Sequence, residues 1–155
     1  MADSTQALAF QEALRGVTQQ QAVLESIRSR AATLLAIASV STSFLGGVAL
    51  NTKRPRGLAW IPVLLFILVG MLAILILLPR RGWIFRLGAR ELIRDYVEAD
   101  PPASLPEMQR DLALHLERHY QGNERRLRRL FWLFQVASAL LVGEVVVWLL
   151  VLEQG

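Results

Sequence analysis

Three apolar blocks, Ala31–Leu50, Leu58–Leu78 and Phe131–Leu152, decide what this chain can become. The first two hold no Asp, Glu, Lys, Arg or His, and the third holds a single ionisable residue, Glu144. Each reaches the about 20 residues that a helix needs to cross a ~30 Å hydrocarbon core. Lipid offers the backbone no hydrogen bonds, so only helices and closed barrels can span it, and continuous apolar runs without strand alternation select helices. The expected fold is therefore all-α: an integral membrane protein with three transmembrane helices plus amphipathic cytoplasmic helices. Residues 1–30 form a cytoplasmic amphipathic helix, 31–79 a transmembrane helical hairpin and 80–130 a cytoplasmic helical segment. The third transmembrane helix follows at 131–152, with a short external tail at 153–155. The first apolar run begins far behind the initiator, so no signal-peptide cleavage is expected.

Basic residues set the orientation. The segment before Ala31 carries Arg15, Arg28 and Arg30, and eleven arginines lie between Arg80 and Leu130. The 51–57 loop holds Lys53, Arg54 and Arg56, so three crossings divide the basic residues as 14 against 3. The positive-inside rule puts the N-terminus in the cytoplasm and the C-terminus outside, on opposite sides of a membrane crossed three times. A calculated pI near 10.6 suggests nucleic acid at first sight. Most of the charge, however, is joined directly to membrane spans, where anionic head groups are the natural counterpart, and no nucleic-acid partner is expected. Cysteine is absent, which excludes disulfides, thiolate metal sites and cysteine nucleophiles.

Along the chain, Asp3 and Gln6 have capping-box spacing, and Phe10, Leu14, Val17, Leu24 and Ile27 continue as a helical stripe suited to self-association, to packing on another cytoplasmic helix or equally to packing within the monomer. No proline interrupts the path into the first span. There Ala32, Ala36, Ser39, Ser43 and Gly46 form a narrow face of small side chains, with Ser41 and Thr42 off it. Pro55 and Gly57 make the 51–57 loop a tight hairpin. Pro62 falls near the start of the second span, and Pro79 ends it. Between Trp83 and Val97, Phe85, Ala89, Leu92, Ile93 and Tyr96 recur at helical spacing beside an Arg86/Arg90/Arg94 ladder. Asp100-Pro101-Pro102 stops that helix. Ser104 and Glu107 then cap another, with a stripe of Met108, Leu112, Leu116, Tyr120 and Leu127 and an irregularity expected at Gly122-Asn123.

Few residues suggest chemistry. There is no Gly-rich phosphate loop, no nucleophile elbow and no pair of pocketed carboxylates, so neither an enzyme nor a cofactor is expected. Asp111, His115 and His119 recur every four residues, yet a zinc site usually takes three or four converging ligands; a hydrated face is the favoured reading, with no metal. Arg86, Arg90 and Arg94, together with Arg125, Arg128 and Arg129 beside Arg126, are candidates for binding phosphate, since guanidinium forks suit it. Lipid anchoring and topology control account for most of that signal. Glu144 is harder to dismiss. It sits roughly 21 Å into a span that begins near Leu130, where an ionisable group usually faces a partner, a cavity or a conduction path. Gln135 and Ser138 share its approximate side, with Ala139 and Gly143 as a small-xxx-small pair beside it. Its alternative role is a protonated carboxyl hydrogen-bonded to Ser39, Thr42 or Ser43 of the first span, or one that snorkels outward.

The stretch from Leu24 to Ser39 runs from an amphipathic helix through Arg30-Ala31-Ala32-Thr33-Leu34-Leu35 into the first span. It resembles the small bacterial membrane effectors of nucleotide-linked antiphage systems, the Pycsar transmembrane effectors and related SLATT-type domains. The layout of helix, close pair of spans, cytoplasmic helices and further span is similar over most of the chain. The resemblance implies a homo-oligomer in the lipid bilayer that senses a cyclic nucleotide, cyclic UMP or cyclic CMP, made by a partner cyclase. It then impairs inner-membrane integrity and halts phage replication by abortive infection. Two other classes fit the residues: a constitutive small channel or holin-like oligomer, and a structural membrane subunit docking a soluble partner.

Overall fold

The computed structural model describes residues 2–50, 59–78, 90, 93–98 and 100–153, without the side chains of residues 2–4 and 50. Helix α1 spans Ala2–Leu50, α2 spans Trp60–Leu77 and α3 spans Leu105–Glu153, with no strand among the described residues. All three are long and apolar enough to cross a membrane. Their outward faces agree with that: Phe44 is 70% exposed, Trp60 77% and Val142 64%, a surface that lipid solvates and water does not.

The amphipathic N-terminal segment and the first span are one helix of 49 residues. The segment after Ser104 and the third span are another of 49. Because α1 already includes Ala2, the backbone places Asp3 inside the helix rather than at the expected N-cap. Nor is there a break at Gly122-Asn123. Gly122 is exposed and its missing side chain disturbs no packing, while Asn123 is buried and bonded. The second cap does form, with the Ser104 backbone N–H and hydroxyl both donating to Glu107 Oε2, at 3.1 and 2.7 Å. These bonds hold the Glu107 carboxyl below the ordinary range. Helix α2 closes at Leu78, whose amide donates to Ile74 O at 2.8 Å while its ψ of 130° is the extended value that a following proline imposes.

Of the helix expected from Trp83 to Val97, the described part is a wide turn at Ile93–Val97, in which the Glu98 amide bonds five residues back to Ile93 O at 2.9 Å. Trp83, Phe85, Arg86, Ala89, Leu92 and the 51–57 loop lie outside the described residues.

The chain forms two compact units, one of Met1–Leu24 with Arg80–Arg128 and one of Glu25–Pro79 with Arg129–Gly155. In the first, α1 buries Val17, Gln20 and Leu24, and α3 buries Leu112, Leu116, Asn123 and Leu127. Most of these steps are three or four residues, the period of one helix face. Leu14, expected on that face, is exposed. Gln20 Nε2 donates to the Tyr120 carbonyl at 2.9 Å, and a Cβ on Gly16 would stand 3.3 Å from the Tyr120 ring. The helices are that close.

In the second unit, α1 buries Ile27, Ala31, Leu34, Ala38 and Ala49, α3 buries Leu130, Ala137, Glu144 and Trp148, and α2 adds Val69, Ala73 and Ile76. Leu34, Ala38, Val69 and Ala137 form its centre, wrapped by Phe66, Phe134, Leu140 and other half-buried side chains. Thr42 meets Glu144 and, one turn on, Gly46 meets Trp148. Here α1 and α3 therefore run in the same direction. The expected small-residue face holds only in part: Gly46 is buried and Ser39 half-buried, but Ala32, Ala36 and Ser43 are exposed, and Ala31, Ala38 and Ala49 pack in their place. The reason is periodic continuity. In an unbroken helix the buried series Leu24, Ile27 continues in steps of four and three to Ala31, Leu34 and Ala38.

A Cβ on Gly46 would lie 3.2 Å from the Trp148 ring, while one on Gly47 would meet nothing within 4 Å. Gly46→Leu should thus lower stability by about 1–3 kcal/mol, and Gly47→Leu should not. Thermal unfolding in detergent, followed by circular dichroism, checks the pair.

Candidate functional site

Glu144 occupies a core position of α3 and is 0% exposed. The period that buries Leu130 and Ala137 reaches Glu144 after a further seven residues, so the carboxyl is carried into the interface with α1 rather than out toward lipid. The Thr42 hydroxyl donates to Glu144 Oε1. The indole N–H of Trp148, one turn further along α3, is directed at the same carboxyl as a second, looser donor that falls short of full hydrogen-bond geometry. Trp148 is itself 1% exposed, and its ring covers Gly46.

Other hydroxyls of these spans behave differently. Thr33 and Ser39 donate to carbonyls four residues back in α1, and Ser138 does the same in α3, at 3.1, 2.9 and 2.8 Å. Such back-bonding satisfies a hydroxyl where water is absent. Thr42 instead reaches across to α3. A hydroxyl both donates and accepts, so it can serve the carboxyl in either protonation state. No cation pairs with Glu144 among the described residues.

The companions expected beside Glu144 are elsewhere. Gln135 is exposed, Ser138 bonds its own helix, Ala139 is exposed, and a Cβ on Gly143 would meet nothing within 4 Å. Of the three first-span candidates for its hydrogen bond, Thr42 is the partner and Ser43 is exposed. Trp148 was missed by the sequence reading, although its spacing of four from Glu144 was available as a signal.

Among the candidate phosphate ligands, Arg86 lies outside the described residues, and Arg90, Arg125 and Arg129 are exposed. Arg94 pairs with Asp95 at 2.6 Å and Arg128 with Glu124 at 3.3 Å. Both are surface pairs of small energetic weight. The first unit also has a groove of about 380 Å³ lined by Ala9, Glu12, Ala13 and Gly16 of α1 and Ala113, Leu114, Glu117 and Tyr120 of α3. Its charged groups are carboxylates, so it offers a phosphate nothing to pair with.

On α3 of that unit, His119 Nε2 lies 3.0 Å from His115 Nε2, and the rings meet edge to face with centroids 4.5 Å apart. A hydrogen bond there needs one protonated and one bare nitrogen. Burial, then His115, then Arg118 hold His119 below the ordinary imidazole value of 6.5. No group of three or more metal-ligating side chains occurs among the described residues. Comparison with protein-family models, curated proteins and solved structures finds no match for this chain.

Two outcomes follow. Thr42→Val keeps the shape but leaves Glu144 without its donor, and should lower stability by about 1–3 kcal/mol; adding Glu144→Leu should recover part of that loss, because an apolar pair leaves nothing unsatisfied. Denaturation of the single and double variants in detergent reads the coupling. A depressed His119 means that the folded chain takes up its proton later than the unfolded one. Its contribution is whole above pH 6.5 and is lost as the pH falls through the lower folded value. Histidine NMR titration should place His119 below 6.5, and His115→Asn should move it upward.

Proposed function

We propose that this chain is a bacterial inner-membrane effector of antiphage defence, whose cytoplasmic helices respond to a cyclic nucleotide and whose spans then impair the bilayer as a homo-oligomer. The observation that carries the proposal is Glu144, a carboxyl fully buried in a membrane-length helix with the Thr42 hydroxyl donating to it from the neighbouring helix. A carboxyl in that position is costly in lipid and tends to mark a conduction path or a moving part. Parting α1 from α3 at Thr42 would open a polar seam through the second unit. The division of basic residues supports a cytoplasmic N-terminus and an external C-terminus. The resemblance of the Leu24–Ser39 stretch to Pycsar and SLATT-type effectors supports the cyclic nucleotide, cyclic UMP or cyclic CMP, as the signal.

In this reading the nucleotide phosphate meets the exposed arginines, Arg90 or the Arg125, Arg128 and Arg129 group, rather than the carboxylate-lined groove. A carboxyl fully buried behind Thr42 and Trp148 favours a gated device over a constitutive pore, because a standing pore would leave it open to water. The same groove, small-sided and acidic, favours as second reading a membrane subunit that docks a soluble basic partner.

Liposomes containing the chain and a trapped dye separate these readings. The effector reading expects leakage that rises at least several-fold on adding cyclic UMP or cyclic CMP, and that Glu144→Gln abolishes without changing nucleotide binding. Leakage equal with and without nucleotide points to a constitutive channel. Silence under every condition removes the effector reading.

A further inference from the structure

We propose that His115 and His119 form a chelating site for a divalent transition-metal ion, copper(II) above nickel(II) and zinc(II). The two Nε2 atoms face each other at 3.0 Å. An ion bound at ~2.0–2.1 Å from each would see them at an angle of about 90°, the spacing of two adjacent positions in a tetragonal or octahedral shell. A tetrahedral ion wants the nitrogens further apart. In effect the ion takes the place of the proton that the two rings share. The rings stand at 70° to each other, so both lone pairs converge after a modest rotation about each Cβ–Cγ bond; His115 is exposed and free to make it. The helix does the rest. Residues four apart on α3 lie on one face, and α3 is continuous through both.

No third protein ligand joins them among the described residues, so water completes the shell and the ion remains open to an outside donor. A two-imidazole site of this kind follows the general order of affinity, in which copper(II) binds most tightly. The chain is well suited to showing it. It has two histidines and no cysteine, so no other imidazole or thiolate competes.

Copper(II) chloride titrated into the full-length chain in detergent, carrying no histidine tag, should bind at one ion per chain. The electron paramagnetic resonance spectrum should show superhyperfine splitting from two equivalent nitrogens. His115→Ala and His119→Ala should each weaken binding at least tenfold and leave a one-nitrogen spectrum, with helicity by circular dichroism unchanged. Nickel(II) and zinc(II) should bind more weakly, in that order or equal to each other. Copper affinity undiminished in the double variant, or a one-nitrogen spectrum in the unaltered chain, overturns the site.

Discussion

Within the membrane-length part of the chain, the close approach of α1 to α3 is the constraint from which the other features follow. Lipid supplies no hydrophobic drive to press helices together, so contact must come from van der Waals fit and from hydrogen bonds between side chains. Ala31, Ala38 and Gly46 remove side-chain bulk from α1, and Trp148 uses the room, its ring standing 3.2 Å from where a Cβ at position 46 would lie. That fit also excludes solvent from Glu144. The carboxyl can be tolerated there because the same approach brings the Thr42 hydroxyl to it.

The interface is nevertheless incompletely satisfied. Glu144 and Trp148 are buried a turn apart with the indole N–H only a loose second donor to the carboxyl, and an imperfectly bonded buried polar group costs up to about 1–3 kcal/mol. An apolar residue at 144 would pack without that cost. A purely structural helix pair therefore has no need of Glu144. The loosely satisfied carboxyl leaves the closed arrangement less secure than its packing alone would make it. The first unit has a similar polar insertion, since Gln20 and Asn123 are buried among leucines and Gln20 Oε1 lacks a partner. Polar residues at core positions of paired helices fix register at the expense of stability.

How much of this was legible in the sequence depended on the size of the signal relative to lipid or water. The three membrane-length helices could be read because an apolar run of about twenty residues with at most one ionisable group has almost no other physical solution. The Ser104–Glu107 cap was readable from local spacing alone. Which face of the first span packs was not. Small residues occur on both sides of it, at Ala32 and Ala36 as at Ala31 and Ala38, and composition could not rank them. The deciding information lay upstream, in Leu24 and Ile27, whose period continues through the unbroken helix. The expected break at Gly122-Asn123 failed for a related reason: a poor local propensity is overridden when the neighbouring side chains are buried at the right period.

The same periodic logic separates Glu144 from the charged residues around it in the chain. An arginine such as Arg125 or Arg128 falls off the three-four series of α3 and stays exposed. Its replacement changes a surface. Glu144 falls on the series, fourteen residues after Leu130 and seven after Ala137, both buried. The helix cannot turn the carboxyl outward without also exposing Trp148 and lifting its ring from Gly46. Any motion that reaches Glu144 must therefore move α3 against α1 as a whole, by rotation or by separation, and a side-chain rotamer change alone would not suffice. A carboxyl held in this way reports the relation between two helices, which is why the seam between Thr42 and Glu144, rather than either residue alone, is the unit on which a gating mechanism would act.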